Sequence, residues 1–403
     1  MTNRTVIVVG LGYIGLPTSL ALASSGVDTI GFDYDKEHVE ILQKGQVTFK
    51  EKGLPELFDA ALKKGIKFTS QIPAGDFYII AVPTPYEKES KRVDPSYVVS
   101  AFNEVYGVCK ENAIVIIEST IAPGTIDKYI RPLVRTKKIN LVHCPERIIP
   151  GNMVYELTNN SRTIGADTPK VAEEVKTVYS SFCKGNIVLT NIKTAEMTKV
   201  VENTFRDINI AYANELVKIC EKANLDVYEV IRIANMHPRV HILTPGPGVG
   251  GHCISIDPWF LVGEYPSEAK LVKQAREIND SMPSYVLERA GKIANVHGIP
   301  SSRIGLYGLT YKQDVDDIRE SPTLQLLDFS KNHLGPSFPV FDPMVVEKKI
   351  PEQVMDFDQF LSQVDMVIIM QNHTHLLMNA NKLSSKIVFD TKKCLSGVNI
   401  FTY

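Results

Sequence analysis

The sequence predicts an α/β protein with two doubly wound domains joined by a central helical domain that contains one long helix. Three observations support this prediction. Short apolar runs alternate with helix-length spacers in the first third of the chain, a long helical stretch covers residues 196–223, and apolar runs return in the last hundred residues. Continuous rather than alternating apolar runs are typical of parallel strands that helices cover on both faces.

Nine strands are predicted in chain order. They are 5–9, 29–32, 77–82, 113–118 and 141–144 in the first part, and 304–309, 338–341, 364–370 and 386–389 in the last. Spacers of helix length separate the strands, which is the pattern of a doubly wound sheet. The change in pattern places domain boundaries near residues 195 and 300. The predicted domains are therefore 1–195, 196–300 and 301–403.

The central part of the chain is predicted to be helical. Its long helix has apolar residues on more than one face: Val200, Val201, Ile208, Ile210, Leu216, Val217 and Ile219. A helix that is apolar on several faces lies buried between domains or between subunits. A second helical region is predicted over residues 268–296.

Composition excludes several classes of protein. The 403 residues carry a net charge of −2, and 44% of them are apolar. A chain balanced in this way has no overall field that would attract nucleic acid or a membrane surface. The six cysteines form no C-x-x-C pair, which favours free thiols and a cytoplasmic protein over a disulfide framework. Neither a nucleic-acid partner nor a membrane partner is expected.

A glycine-rich turn predicts a dinucleotide site. Gly10, Gly12 and Gly15 follow the first strand and precede a helix, and Asp33 ends the second strand. This spacing allows a tight turn, close approach of a pyrophosphate and close packing of helix on strand. An acid at position 33 binds a ribose and repels a 2′-phosphate, so NAD is favoured over NADP. The segment 82–85 (VPTP) lies where such folds place ligand loops, and a simple strand-ending turn is the alternative.

A second glycine-rich loop precedes Cys253. Gly246, Gly248, Gly250 and Gly251 allow the backbone to approach a ligand closely, and a thiolate presented there could attack a carbonyl carbon. The residues alone leave a packed thiol as an equal alternative.

One face of the long helix is polar. Lys199, Asn203 and Arg206 are spaced to share it, which suits contact with a ligand; a salt-bridged structural face is the alternative. No metal site is predicted, because His373 and His375 have no carboxylate or thiol ligands near them in sequence.

Seven motifs in order give the chain a resemblance to the UDP-glucose/GDP-mannose dehydrogenase family over nearly its whole length. They are GLGYIGLP, VPTP, ESTIAPGT, CPERIIPG, a K-x-x-x-N helix, GPGVGGHCISIDP and YKQDVDDIRESP. The resemblance implies an N-terminal Rossmann-like NAD domain, a central domain that forms a homodimer, and a C-terminal Rossmann-like domain for a UDP-sugar.

The resemblance also implies a reaction: NAD-dependent, four-electron oxidation of a sugar C6 alcohol to a carboxylate through a thiohemiacetal and a thioester at Cys253. The segments around HPRV and GPGVGGHCISIDPWF most resemble the branch that acts on UDP-N-acetyl-D-mannosamine. The UDP-glucose branch usually has a glutamate where this chain has Pro150, which argues against UDP-glucose.

Site residues follow from the same resemblance. The implied catalytic residues are Cys253, Lys199, Asn203, Asp257, Thr120 and Glu146. The implied NAD-binding residues are Gly10, Gly12, Tyr13, Ile14, Gly15, Asp33, Val82, Pro83, Thr84, Ser119, Thr120 and Arg319. The implied substrate-binding residues are Glu146, Arg147, Lys199, Asn203, Arg206, Arg239, Gly250 and Lys312, with Arg239 reaching the neighbouring subunit of the dimer.

Alternatives remain open at this stage. The same chemistry could act on UDP-N-acetylglucosamine or UDP-glucose. A two-electron β-hydroxyacid dehydrogenase also joins an NAD domain to a helical domain, but it needs neither the cysteine loop nor a third domain. A protein that binds NAD without turnover is the non-enzymatic alternative.

Overall fold

The computed structural model describes residues 5–87, 90–251, 253–333, 335 and 337–403. The chain divides into two compact units. The first unit runs to Glu202 and includes Gly263–Tyr265, and the second comprises Asn203–Val262 and Pro266–Tyr403. The boundary falls inside the long helix, and the division into three domains at 195 and 300 stays a prediction. Among the residues described, no helix is both long and apolar enough to cross a membrane.

An eight-stranded sheet forms the centre of the first unit. Its strands are β1 (Val6–Val9), β2 (Thr29–Phe32), β3 (Lys67–Thr69), β4 (Phe77–Ile80), β5 (Ile114–Ile117), β6 (Asn140–His143), β7 (Arg162–Ala166) and β8 (Ile187–Thr190). Their order is β3-β2-β1-β4-β5-β6-β7-β8, and all neighbours are parallel except β6 and β7. Chain order therefore reverses between β1 and β4, which is where doubly wound sheets bind ligands.

Helices cover both faces of this sheet. They are α1 (Gly15–Ser24), α2 (Lys36–Gln43), α3 (Leu54–Lys63), α4 (Ser96–Val108), α5 (Met153–Asn159) and α6 (Pro169–Tyr179), with short helical turns at Ile126–Ile130 and Arg131–Leu133. All four residues of β1 are buried, because Val6 and Val8 pack on one face and Ile7 and Val9 on the other. Burial on both faces explains the continuous apolar run.

The second unit begins with helices. They are α7 (Ile192–Ala223), which starts in the first unit, α8 (Val227–Ala234), α9 (Asp257–Glu264), which ends in the first unit, α10 (Lys270–Asp280) and α11 (Met282–Val296). The long helix starts four residues before its predicted start and ends at the predicted residue. The second predicted helical region is two helices, separated at Ser281.

A parallel five-stranded sheet completes the second unit. Its strands are β9 (Ile304–Tyr307), β10 (Val340–Phe341), β11 (Met366–Ile369), β12 (Ile387–Asp390) and β13 (Ile400–Phe401), in the order β10-β9-β11-β12-β13. Its helices are α12 (Pro322–Asn332), α13 (Phe357–Gln363) and α14 (Thr374–Met378), with short turns at Ser301–Arg303 and Ala380–Leu383.

The predicted fold class is confirmed, and all nine predicted strands are present within a few residues. Four strands were missed, namely β3, β7, β8 and β13. Three of these lie at sheet edges and are short or only partly buried, so they lack a continuous apolar run. The strand β7 begins with a buried charged residue, Arg162, and contains Thr163 and Gly165, so it also lacks a continuous apolar run.

Candidate active site

The glycine-rich turn between β1 and α1 is built as the spacing predicts. Gly10 has a φ of 90°, which favours glycine. A Cβ at Gly15 would lie 1.8 Å from the carbonyl oxygen of Gly10, so helix and turn are packed too closely for any side chain. Gly12 is exposed, and a Cβ there would meet nothing within 4 Å. The first glycine makes the turn, the third permits packing, and the second leaves open space beside the backbone.

Asp33 lies at the end of β2 beside this turn. Its Oδ2 accepts a hydrogen bond from Leu11 N at 2.8 Å, and its Oδ1 accepts one from Asp35 N at 3.0 Å. The carboxylate is only partly buried, so it can also accept from a ribose hydroxyl. No side chain in the described part of the protein caps the start of α1, where Ile14 is the capping position. An uncapped helix start favours a phosphate, and these residues together fit NAD.

Loops after β4 and β5 lie at the same edge of the sheet. Ser119 Oγ donates to Val82 O at 2.7 Å, which joins the two loops. Pro83 is exposed, and Thr84 and Thr120 are partly exposed. The predicted NAD-binding segments therefore lie on strands adjacent to the glycine turn.

Glu196, on the first turns of α7, was not predicted from the sequence. Its buried carboxylate accepts hydrogen bonds from Gly124 N at 2.6 Å and Ile126 N at 3.0 Å. It fixes the loop that follows Thr120. A glutamate three residues before Lys199 on a predicted ligand face was the available signal.

Lys199 and Glu146 come together in the first unit. Their Nζ and Oε1 atoms lie 3.6 Å apart, and both side chains are buried. The carboxylate of Glu146 also accepts a hydrogen bond from Ile148 N. A buried cation beside a buried carboxylate at the carboxyl end of β6 is an arrangement that can stabilise negative charge or move a proton.

Arg147, the next residue, has partners within its own unit. Its guanidinium donates to both carboxylate oxygens of Glu202, the Nε bond to Oε2 being 2.9 Å long. It also donates to Ser161 O at 2.8 Å and to Thr163 Oγ1 at 3.1 Å. These contacts hold the segment after β6 against α7.

Cys253 is partly exposed at the end of the second glycine-rich loop; His252 before it lies outside the described residues. A Cβ at Gly250 would lie 2.6 Å from Glu320 O, and one at Gly251 would lie 2.8 Å from the ring of Tyr311. Gly251 N also donates to Arg319 O at 3.0 Å. The glycines are needed because this loop packs directly on the 311–320 segment.

Asp257 begins α9 next to the cysteine. Its backbone N donates to Cys253 O at 2.8 Å, and its buried carboxylate accepts from Asn203 Nδ2 at 2.6 Å. Three of the predicted catalytic residues are therefore joined within the second unit. The Cys253 loop therefore has an amide and a carboxylate fixed beside it.

Other predicted residues are spread over the surface of the second unit. Arg319 forms a two-nitrogen fork with Asp317, the shortest distance being 2.6 Å. Lys312 is partly exposed, whereas Arg206 and Arg239 are exposed.

Lys392 is a further cation that the sequence analysis missed. A Cβ at Gly246 would lie 3.6 Å from its Nζ, which places the ammonium against the glycine-rich loop. Burial lowers the pKa of Lys392 to about 8. The available signal was a cation two residues after a strand, at the edge where parallel sheets bind ligands.

Within the described part of the chain, no group of histidine, cysteine and acidic residues could hold a metal ion.

Comparison with known proteins identifies the family. Residues 4–183, 193–281 and 305–397 match respectively the NAD binding, central and UDP binding domains of UDP-glucose/GDP-mannose dehydrogenases. The chain belongs to the UDP-glucose/GDP-mannose dehydrogenase family. It is an NAD-dependent nucleotide-sugar dehydrogenase, and the predictions of family, NAD and enzyme class are confirmed.

Similar proteins include enzymes named for two amino sugars. The UDP-N-acetyl-D-mannosamine dehydrogenase of Methanococcus maripaludis strain C7 is 41% identical, over 97% of this chain and 93% of that protein. The NDP-N-acetyl-D-galactosaminuronic acid dehydrogenase of Ralstonia nicotianae is 38% identical, over 98% and 97%. The native structure of the UDP-N-acetyl-mannosamine dehydrogenase Cap5O from Staphylococcus aureus is 40% identical, with a TM-score of 0.87 over 99% and 97% of the two chains.

Proposed function

We propose that this protein oxidises UDP-N-acetyl-D-mannosamine at C6 to UDP-N-acetyl-D-mannosaminuronate, with Cys253 as the covalent nucleophile. The observation that carries the chemistry is a partly exposed thiol on a glycine loop, fixed next to the Asn203–Asp257 pair. The substrate rests on the names of relatives that match this chain over nearly its whole length.

The proposed reaction has two oxidations. The C6 alcohol first loses a proton and a hydride and becomes an aldehyde. The Cys253 thiolate then adds to the aldehyde carbon, forming a C–S bond and a thiohemiacetal. Loss of a second hydride gives a thioester, and water breaks the C–S bond to give the carboxylate and the free thiol. NAD, when bound, supplies the acceptor for each hydride. A thiol is needed because the free aldehyde has no carbinol hydrogen to give up as hydride.

Charge stabilisation is assigned to the polar face of α7. Lys199 supplies a buried cation and Asn203 an amide donor, and both stabilise the oxyanions formed at C6. Glu146, held 3.6 Å from Lys199, acts as base for hydrolysis of the thioester. Asp257 and Thr120 hold the attacking water.

Substrate binding is assigned to the residues that the family resemblance implies. Lys312 and Arg206 bind the nucleotide sugar, Gly250 allows its close approach, and Arg147 orders the loop next to Glu146. Arg319 contacts phosphate groups of the cofactor.

The proposed homodimer is supported by apolar side chains exposed along α7. Phe205, Tyr212 and Ile219 are 67%, 51% and 54% exposed and recur every seven residues on one face of the helix. Leu225, Ile233 and Met236, in and around α8, extend the exposed apolar surface. A stripe of this size and spacing is typical of a helix that packs on a second copy.

The first experiment counts the NADH formed per mole of limiting sugar nucleotide. UDP-N-acetylmannosamine, UDP-N-acetylglucosamine, UDP-N-acetylgalactosamine and UDP-glucose are compared in parallel. Two NADH with the first substrate alone is the expected result. Two NADH with another sugar nucleotide would make that compound the substrate in place of UDP-N-acetylmannosamine. One NADH with every sugar nucleotide would contradict the four-electron reaction and favour a two-electron dehydrogenase.

Cys253→Ala tests the covalent step, with Cys394→Ala as its control. Cys394 is also partly exposed, but burial raises the pKa of its thiol to about 12, so it is a poor nucleophile. Cys253→Ala should abolish carboxylate formation and leave NAD affinity unchanged, whereas the control should retain turnover. Normal turnover by Cys253→Ala would exclude the thioester.

Mixing of subunits tests whether Arg239 acts across the dimer. Arg239→Ala and Cys253→Ala should each be inactive alone. After unfolding and refolding together, mixed dimers contain one site with both residues intact, so about a quarter of the wild-type activity should return. No recovery from demonstrably mixed dimers would place Arg239 in its own subunit's site.

A further inference from the structure

A buried hydrogen-bond network lies at the carboxyl end of the five-stranded sheet, beside the segment that contains Lys312. Its centre is His373, which follows β11 and is fully buried. Asp342, at the end of β10, and Thr310, after β9, are also buried. None of these three residues has a role in the proposed reaction.

The direction of each hydrogen bond follows from the donors present. The amide N–H of Asp314 lies 2.9 Å from His373 Nδ1, so this nitrogen is the acceptor and the ring proton is on Nε2. That Nε2–H faces Asp342 Oδ2 and Thr310 Oγ1, each at 3.2 Å. The hydroxyl of Thr310 accepts there and donates its own proton to Lys312 O at 3.0 Å. His373 is thus connected through one hydroxyl to the backbone of Lys312.

The network holds the chain on both sides of Lys312. Leu309 N and Thr310 N donate to Asp342 Oδ2 at 2.6 and 2.9 Å, before the lysine. After the lysine, the backbone amide of Asp314 donates a hydrogen bond to His373 Nδ1. The carboxylate of Asp314 accepts from Thr374 N at 2.9 Å and from Thr374 Oγ1 at 2.7 Å. Between these points, Gln371 Nε2 donates to Tyr311 O at 2.7 Å. The backbone of Lys312 therefore has little freedom to move.

The carboxylate of Asp342 is closed to a ligand, because it is enclosed by the protein. Its side chain is fully buried, Oδ1 accepts from Met344 N at 2.8 Å, and Oδ2 accepts from two amides and His373. Asp33, the corresponding acid of the first unit, is partly exposed and accepts from two backbone amides among the described residues. The acid of the second unit therefore serves the protein's own loop.

We propose that His373 and Thr310 are positioning residues for the nucleotide sugar, because they fix the backbone from which Lys312 reaches it. This inference rests on the proposed binding role of Lys312. The relay has a defined order, from the His373 Nε2–H to the Thr310 hydroxyl and then to the Lys312 carbonyl. Removal of either link lets the lysine move and weakens binding of the nucleotide sugar. Arg319, the residue of this segment that is assigned to the cofactor, is held separately by Asp317 and by Gly251 N, which donates to its carbonyl, so NAD binding is unaffected.

Thr310→Val is the main test, because valine has the shape of threonine without the hydroxyl. Thr29→Val is the matched control: Thr29 is a buried threonine whose hydroxyl donates to a backbone carbonyl, Val27 O at 2.9 Å, at the amino end of β2. The KM for the sugar nucleotide should rise about tenfold in Thr310→Val, which corresponds to the loss of about one buried hydrogen bond. Its kcat and its KM for NAD should stay within about twofold of wild type, and the control should match wild type in all three.

Two variants of His373 test the order of the relay. In His373→Gln the amide nitrogen can take the place of Nε2 and still donate toward Thr310, whereas in His373→Asn the oxygen takes the place of Nδ1 and that donor is lost. The KM for the sugar nucleotide should therefore rise more in His373→Asn than in His373→Gln. An unchanged KM in Thr310→Val, equal increases in the KM for NAD and for sugar, or the reverse order of the two His373 variants would overturn the proposal.

Failure of this proposal is distinguishable from failure of the proposed function. The wild-type protein decides the function, because it either oxidises one of the four UDP-sugars or does not. If it does not, calorimetric titration with UDP alone replaces KM for the same variants. About tenfold weaker UDP binding in Thr310→Val than in Thr29→Val supports the relay, and equal binding overturns it.

Discussion

The two α/β units build the same corner from similar residues and use it in opposite ways. Here a corner is the glycine turn that follows the first strand of a sheet, together with the aspartate that follows the neighbouring strand. In the first unit β1 is followed by Gly10, with a φ of 90°, whose N–H donates to Phe32 O at 2.8 Å. In the second, β9 is followed by Gly308, with a φ of 101°, whose N–H donates to Phe341 O at 2.8 Å. In both, the phenylalanine is followed by an aspartate at the end of the neighbouring strand.

The difference lies in what fills the corner. After Gly10 the chain enters α1 at Gly15, and Asp33 stays partly exposed. After Gly308 the chain makes a longer loop before α12 begins at Pro322, and the aspartate is enclosed by that loop and by a histidine. A corner left open by glycines can hold a dinucleotide, whereas one closed by side chains can only support its own loop. The same backbone geometry thus gives an NAD site in one unit and a fixed loop in the other.

Removal of the two acids should give the largest difference between the corners. In Asp342→Ala, three backbone amides and His373 lose a buried acceptor, and the free energy of unfolding should fall by about 4 kcal/mol. In Asp33→Ala, water can replace the acceptor, and the loss should be about 1 kcal/mol. Urea denaturation followed by circular dichroism measures both. Equal losses would mean that the second corner is no more closed than the first.

Two glycine substitutions should separate packing from ligand access in the first corner. Gly15→Ala forces a Cβ to within 1.8 Å of a backbone oxygen, and the backbone must shift, at a cost of about 3 kcal/mol. The methyl group added in Gly12→Ala points into open space, so the free energy of unfolding should be nearly unchanged. It should instead raise the KM for NAD, because the methyl group occupies the space beside the backbone that the pyrophosphate approaches. A stable Gly15→Ala protein in the same denaturation assay would contradict the observed packing.

Each unit also buries a histidine at the carboxyl end of a strand. His373 has partners on both ring nitrogens. His143 donates from Nδ1 to Ile117 O at 2.9 Å, and no described residue bonds its Nε2. Burial lowers the pKa of His143 to about 3.

The protonation of His143 should make the protein less stable in mild acid. In the folded protein His143 stays neutral below pH 6.5, whereas in the unfolded chain the same histidine takes up a proton. Protonation therefore stabilises the unfolded state by up to about 1.4 kcal/mol for each pH unit that the pH falls. The free energy of unfolding should therefore drop by about 2 kcal/mol between pH 6.5 and 5. His143→Gln removes this titration and should make the profile flatter over that range. A wild-type profile as flat as that of the variant would show that His143 does not carry the effect.

The smallest expected effect concerns the choice of cofactor at the open corner. Asp33→Asn removes the charge that repels a 2′-phosphate and should improve kcat/KM for NADP relative to NAD by about tenfold. The corresponding change in the closed corner, Asp342→Asn, should not alter this ratio. A shift in the ratio for Asp342→Asn would show that the second corner also senses the cofactor.

The sequence predicted the parts of the site that are local. The turn at Gly10–Gly15 and the acid at Asp33 are recognisable because spacing along the chain fixes their geometry. The Cys253 loop was recognisable as unusual, but its glycines are explained only by close contact with Tyr311 and Glu320, which are 60 to 70 residues later in sequence. Glu196, Lys392 and the His373 network were missed because nothing in their immediate sequence marks the partners they meet.

Local pattern therefore determined the fold class, the open dinucleotide corner and the position of the thiol, since each depends on the period of apolar residues or on glycine at adjacent positions. The tertiary structure alone decided that the corner of the second unit is closed. Both corners contain glycine, leucine and Phe-Asp, but only one carboxylate is enclosed, because β11 brings His373 to it from a distant part of the chain. A buried hydrogen bond between residues far apart in sequence leaves no periodic signal, and it becomes visible only when the strands have been ordered.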